Sequence, residues 1–194
     1  MHHRLLIAAL ILLALTPPQA PLRVVMKTDL GEIEMEIDTA RAPATAANFL
    51  KYADAGLYDG GLFHRTVRPD NQREKPVKIA VIQGAANPSR RKEFFPPIAL
   101  ERTSKTGIPH RDGTVSMARD AVDAATDEFF ICVGDQPELD FGGKRNPDGQ
   151  GFAAFGRVVR GMDVVRRIQE SPADGETLRP AIRIISARRS SGRL

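Results

Sequence analysis

Between Gly60 and Val159 the sequence reads as short apolar runs set apart by turn-rich clusters: Val77-Lys78-Ile79-Ala80-Val81-Ile82-Gln83, Gly113-Thr114-Val115-Ser116-Met117-Ala118, Phe129-Phe130-Ile131-Cys132-Val133 and Phe152-Ala153-Ala154-Phe155-Gly156-Arg157-Val158-Val159. Runs this short, bounded by Gly, Pro, Asn and Asp, read as strands, and their spacing predicts an antiparallel barrel or sandwich. Upstream, Val24-Val25-Met26 and Glu32-Ile33-Glu34-Met35-Glu36-Ile37 flank Asp29-Leu30-Gly31. The glutamates alternate with apolar residues at a period of two, which predicts a hairpin with one wet face. Ala44 to Ala55 changes period: Ala46, Phe49, Leu50 and Ala53 share one helical face, Pro43 sits near the first turn and Gly56 marks the stop. A second helix is expected from Gly161 to Ile168, where Met162, Val165 and Ile168 recur three apart, and a last strand from Ile182 to Ala187. Strands, helix, strands, helix, strand is not the regular alternation of a doubly wound sheet.

The amino-terminal residues carry a different message. His2, His3 and Arg4 precede the apolar run Leu5 to Leu15 and then Thr16-Pro17-Pro18-Gln19-Ala20, the pattern of a signal peptide cut near Ala20. The run falls short of the ~20 residues that span a bilayer, so cleavage is the expectation and an uncleaved anchor the alternative. Residues 1–20 are read as the signal and residues 21–194 as one domain, located in the periplasm or secreted, or tethered to the membrane if the segment is kept. Cys132, the single cysteine, lies within an apolar run and reads as a buried small hydrophobe. The net charge of +4 is modest, and Arg166-Arg167, Arg188, Arg189 and Arg193 have no interleaved aromatic residues. A solvated surface is expected there, with no nucleic-acid partner.

Two loops stand apart by composition: the charged Arg68 to Lys78, with Pro69 and Pro76, and the glycine-rich Asp135 to Gly151. Both are expected at the surface. Asp140, Asn146 and Asp148 lack the ligand spacing of an EF-hand, and His64 and His110 have no metal-ligand companions at a familiar spacing, so no metal and no cofactor are expected. His110-Arg111-Asp112 and Asp140-Phe141-Gly142 match two kinase signatures without a Gly-rich loop or a strand lysine to accompany them. Ser116 lacks the Gly-x-Ser-x-Gly elbow of a hydrolase.

Pro43, Thr45, Asn48-Phe49-Leu50, Gly56, Tyr58-Asp59-Gly60 and Phe63-His64-Arg65 succeed one another at the spacing of the cyclophilin amino-terminal block. Val81-Ile82-Gln83-Gly84, Ser116-Met117-Ala118, Glu128-Phe129-Phe130-Ile131 and Phe155-Gly156-Arg157-Val158-Val159-Arg160-Gly161-Met162-Asp163 continue the match, so that the chain resembles cyclophilins from about Val24 to Ala187. That resemblance implies a mainly β fold, a closed eight-stranded antiparallel barrel capped by two α-helices, and peptidyl-prolyl cis/trans isomerase activity. It implies Arg65 as the catalytic donor and Gln83 as the residue that positions it. Phe63, Ala80, Val81, Ala118, Arg119, Glu128, Phe130, Leu139 and Phe152 are the implied substrate-binding positions, and proline-containing segments of unfolded or exported proteins the implied partners of a monomer. Read without the resemblance, Arg65 is a surface strand arginine, and Phe130 and Leu139 are core residues.

The chemistry fits those residue types. Resonance gives the X-Pro bond a barrier of ~18–20 kcal/mol. A donor aimed at the imide nitrogen stabilises the twisted state, and a dry pocket disfavours the charge-separated planar form. Arginine stays protonated in the first role at any working pH. Departures from the family pattern cluster at the slot: Ala80 and Val81 stand in place of a phenylalanine and a methionine, Arg119 of an asparagine, Glu128 of a glutamine, Glu138 of a tryptophan and Phe152 of a histidine, while Arg68 to Lys78 is an insertion. The rival reading is a non-catalytic peptide-binding or chaperone module on the same fold. A third is a scaffold that captures partners with the inserted loop.

Overall fold

Alternation in the first hairpin builds the wall of the molecule. The computed structural model describes residues 21–190, with β1 at Leu22–Thr28 and β2 at Gly31–Ile37. Ile33, Met35 and Ile37 are buried, and the intervening glutamates face outward into cross-strand ion pairs. Glu34 meets Arg23 at 3.3 Å and Arg160 at 3.2 Å, and Glu36 meets Arg157 at 3.0 Å. Such exposed pairs are worth ~0–1 kcal/mol each; burial of the apolar partners is what fixes the register.

The chain continues through α1 (Pro43–Asp54), β3 (Leu62–Val67), β4 (Val81–Ala85), α2 (Thr103–Thr106), β5 (Thr114–Met117), β6 (Phe129–Cys132), β7 (Ala153–Arg160), α3 (Met162–Glu170), β8 (Ala173–Asp174) and β9 (Thr177–Ser190). Antiparallel pairing runs β1-β2-β7-β5-β6-β4-β3-β9, and β9 returns to β1, which closes an eight-stranded barrel and decides against a sandwich. β8 is an extra two-residue strand on β9. Closure leaves the barrel strands no free edge.

The expected helices are α1 and α3. α3 packs Val164 against Gly31 at the start of β2, and α1 begins beyond the far end of that strand, so the two helices cover opposite mouths of the barrel. Inside, Phe49 of α1 stands 5.1 Å from Phe155, 5.2 Å from Tyr58 and 5.6 Å from Phe129 between ring centroids, and Phe63 lies 5.6 Å edge-on from Phe129. Cys132 is buried, and burial pushes its thiol well above the ordinary range. No helix among the described residues is long and apolar enough to cross a membrane, and the expected signal, residues 1–20, lies outside the described residues.

Candidate active site

A bulge decides which way Arg65 points. Phe63 pairs with Gly84 across β3 and β4, but the next register pair is Arg65 with Gln83, so His64 is an extra residue on β3. Strict alternation would put Arg65 on the same face as Phe63, in the barrel core. The additional residue turns it to the outer face beside Gln83. Pairing then carries the row across the sheet, from Gln83 to Phe130 on β6, to Ser116 on β5 and to Ala154 on β7.

Below this row, a second apolar cluster separate from the barrel core gathers Val67, Ile79, Val81, Phe130, Cys132 and Leu139, with Ala118 and Phe152 against it. Above it lies a cavity of about 510 Å³ whose wall includes Arg65, Gln83, Val81, Ala118, Arg119, Glu128, Phe130, Leu139 and Phe152. Phe130 and Phe152 meet edge to face at 5.4 Å. A polar rim over an apolar floor is a place for a small aliphatic ring beside a hydrogen-bond donor.

Arg65 is held from two sides. Its Nη1 donates to Gln83 Oε1 at 2.8 Å, while Nε, at 2.8 Å, and Nη2 both donate to Glu176 Oε2. A guanidinium has five N–H groups. Those three bonds leave one N–H on each terminal nitrogen, and the side chain keeps 36% of its surface exposed on the cavity wall. Glu176 is fixed in turn: its carbonyl accepts from Thr66 N at 2.9 Å, and Asn71 of the inserted loop donates to the preceding Gly175 carbonyl at 3.0 Å. The loop 68–78 therefore buttresses the turn behind Arg65.

Gln83 also donates through Nε2 to Glu128, whose carboxylate stands 3.7 Å from His64 Nε2. The facing His64 ring holds the Glu128 carboxyl below its ordinary range, and the Gln83 amide and Arg65 charge add to this against the opposing effect of burial. Next to it, Asp127 is pushed up by burial, although its Oδ2 accepts from Ala86 N at 3.0 Å.

Several expected positions have other neighbours. Phe63 is fully buried on the inner face against Phe129, because the bulge separates it from Arg65. Ala80 is half-buried, its N–H donates to Gln136 Oε1, and Ile79 takes the place at the cavity wall. Arg119 reaches the wall, but its side chain is 1% exposed and committed to Asp148 at 2.8 Å and the Gly151 carbonyl at 2.9 Å. That pairing holds the Asp148 carboxyl at about 2.

Sequence reading missed Glu176, Ile79 and Arg145, and also a Ser116-His110-Asp140 chain: His110 Nε2 lies 2.9 Å from Ser116 Oγ and Nδ1 lies 2.7 Å from Asp140. The order is that of a hydrolase triad. Ser116 is 0% and His110 1% exposed, so no substrate carbonyl can reach the hydroxyl. The histidine instead stacks on Phe130, 16° from parallel at 5.8 Å, and braces the floor of the slot.

Known proteins share this chain's sequence pattern and its fold. The family profile described as cyclophilin type peptidyl-prolyl cis-trans isomerase/CLD matches residues 23–189. Peptidyl-prolyl cis-trans isomerase A of Dickeya dadantii is 33% identical over 177 residues, covering 88% of this chain and 86% of that protein. Peptidyl-prolyl cis-trans isomerase B of Escherichia coli is 33% identical over 147 residues, covering 75% and 83%. A cyclophilin-type isomerase from Cryptosporidium parvum shares the fold, with a TM-score of 0.70 at 19% identity over 90% of this chain and all of that one. The same C. parvum protein has been solved in the presence of the dipeptide Ala-Pro. With a matching profile over nearly all the described residues and curated isomerases at this identity, the chain belongs to the cyclophilin-type peptidyl-prolyl cis/trans isomerase family.

Proposed function

We propose that this isomerase acts on proline-containing segments of exported proteins, and that Arg65 is the residue that lowers the barrier. The proline ring enters the patch formed by Val81, Phe130, Leu139 and Phe152, where water is scarce. The free N–H groups of Arg65 face the imide nitrogen as it turns pyramidal, and the bond to Gln83 keeps the fork in the plane that this requires. No nucleophile or proton transfer is needed, since the reaction breaks no σ bond. One observation carries the reading: the bulge at His64 delivers a half-exposed guanidinium, anchored at 2.8 Å to Gln83, onto the rim of an apolar slot. Export rests on the signal-like residues 1–20.

Exchange NMR on a short X-Pro peptide with substoichiometric protein tests catalysis apart from binding. Accelerated cis/trans exchange is expected. Peptide shifts that move on binding, with exchange as slow as in buffer, would overturn the enzyme reading and leave a peptide-binding module.

A further inference from the structure

The cavity is charged unevenly along β4. Just past the last residue of that strand lies Ala86, bonded by Asp127, and the adjacent Glu128 accepts from Gln83 within the strand; all of these line the cavity. Before its first residue lies Val77, whose carbonyl accepts from Arg145 Nη1 at 2.7 Å. Arg145 Nη1 also donates to Gln72 Oε1 at 2.6 Å, so one nitrogen of the glycine-rich loop ties down the inserted loop. The side chain is half-buried and lines the cavity.

Its pairing sets it apart from Arg65, Arg68 and Arg119. Arg65 has Glu176, Arg68 has Asp70 and Arg119 has Asp148, whereas no carboxylate among the described residues lies within ion-pair distance of Arg145. Both of its side-chain hydrogen bonds leave Nη1 and go to neutral acceptors, so Nε and Nη2 have no protein acceptor among the described residues. A half-buried cation held by neutral groups has given up hydration without gaining a counter-ion. Burial acts most strongly against its charge; Glu176 favours the charge and Arg65 opposes it. An anion entering the cavity would find free donors on a half-buried cation at this end, whereas at the other end Asp127 and Glu128 share the wall with the exposed Arg91.

We propose that Arg145 forms a subsite for a carboxylate side chain, so that the enzyme favours proline segments carrying Asp or Glu on the arm that leaves the slot toward the start of β4. This rests on the isomerase reading above and adds a substrate class to it. Arginine suits the task because its remaining N–H groups form a fork that matches a carboxylate.

The test is a peptide series with Glu, Gln or Lys placed in turn at the two positions before and the two after proline, measured with wild type, Arg145→Gln and Arg145→Lys. At one position wild type is expected to prefer Glu over Gln by about three- to fivefold in kcat/KM at low salt, and to lose the preference at high salt. Arg145→Gln should abolish the Glu:Gln ratio and Arg145→Lys should retain part of it. A purely structural role for Arg145, tying Gln72 to Val77, would slow both peptides alike and leave the ratio standing in Arg145→Gln, which would overturn the proposal. So would a wild type that turns over the Gln peptide and prefers Glu at none of the four positions. If no peptide is turned over, the isomerase reading has failed separately, and the same ratio is read from dissociation constants by NMR titration.

Discussion

Replacing Glu176 with alanine should slow isomerisation while leaving the barrel and the apolar slot intact. Glu176 accepts two of the three hydrogen bonds that hold the Arg65 guanidinium, and its backbone is clamped by Thr66 and, through Gly175, by Asn71. A charge-assisted bond contributes about 1.5–3 kcal/mol when shielded, and an exposed ion pair about 0.2–1 kcal/mol. Here Arg65 is 36% and Glu176 24% exposed, so the anchor falls between these limits, at about 1–1.5 kcal/mol. Losing it spreads the guanidinium over several rotamers and lowers the aligned fraction, and with it kcat/KM, by about five- to thirteenfold. Glu176→Gln keeps an acceptor without the charge and should lie between alanine and wild type. Rates come from exchange NMR on one X-Pro peptide, with melting curves to show that both variants fold. The alternative is that Glu176 withholds Arg65 from substrate. An alanine variant as fast as wild type or faster would establish that and refute the orienting role.

Two further outcomes follow from packing and charge. A Cβ added at Gly84 would stand 3.0 Å from Phe129 Cζ and 3.1 Å from Phe63 Cδ1 and Cε1, both rings fully buried, so Gly84→Ala should lower unfolding free energy in denaturant by about 1–3 kcal/mol. A change below about 0.5 kcal/mol would show that the rings yield freely. The Glu128 carboxyl is lowered in the fold, so the stability it supplies is complete above its ordinary value near 4.5 and is lost as pH falls through the folded value. Asp127, raised by burial, acts in the opposite sense: its contribution is greatest in acid and is lost as pH rises. Glu128→Gln should therefore flatten the acid limb of a stability–pH profile measured by thermal melting; an unchanged limb would contradict the assignment.

Elements governed by local pattern were legible in the sequence. The face spacing of Ala46, Phe49, Leu50 and Ala53, with Pro43 and Gly56 at its ends, marks α1 to within a residue, and the alternating glutamates mark β2. The run at Val77 promised a strand several residues before β4 begins. Side-chain amides capture that backbone instead: Ile79 bonds Gln72 through both its carbonyl and its N–H, and the Ala80 N–H goes to Gln136. Pro180 interrupts the pattern within β9, which hid its early residues. The resemblance located Arg65, Gln83 and the floor of the slot, but a period of two cannot reveal the bulge at His64 that turns Arg65 outward. Glu176 lies 111 residues from Arg65 in sequence, and the Ser116-His110-Asp140 bracing is assembled across three segments. Such partners arise from closure of the barrel and leave no local signature.

The most direct test compares wild type with Arg65→Ala on a single X-Pro peptide, reading turnover by exchange NMR and affinity by titration. With Arg65 as the donor, kcat should fall by about 10²–10³, the usual cost of deleting a donor aimed at developing charge, while the dissociation constant changes far less because the apolar slot still grips the ring. Equal turnover by the two proteins would contradict that role.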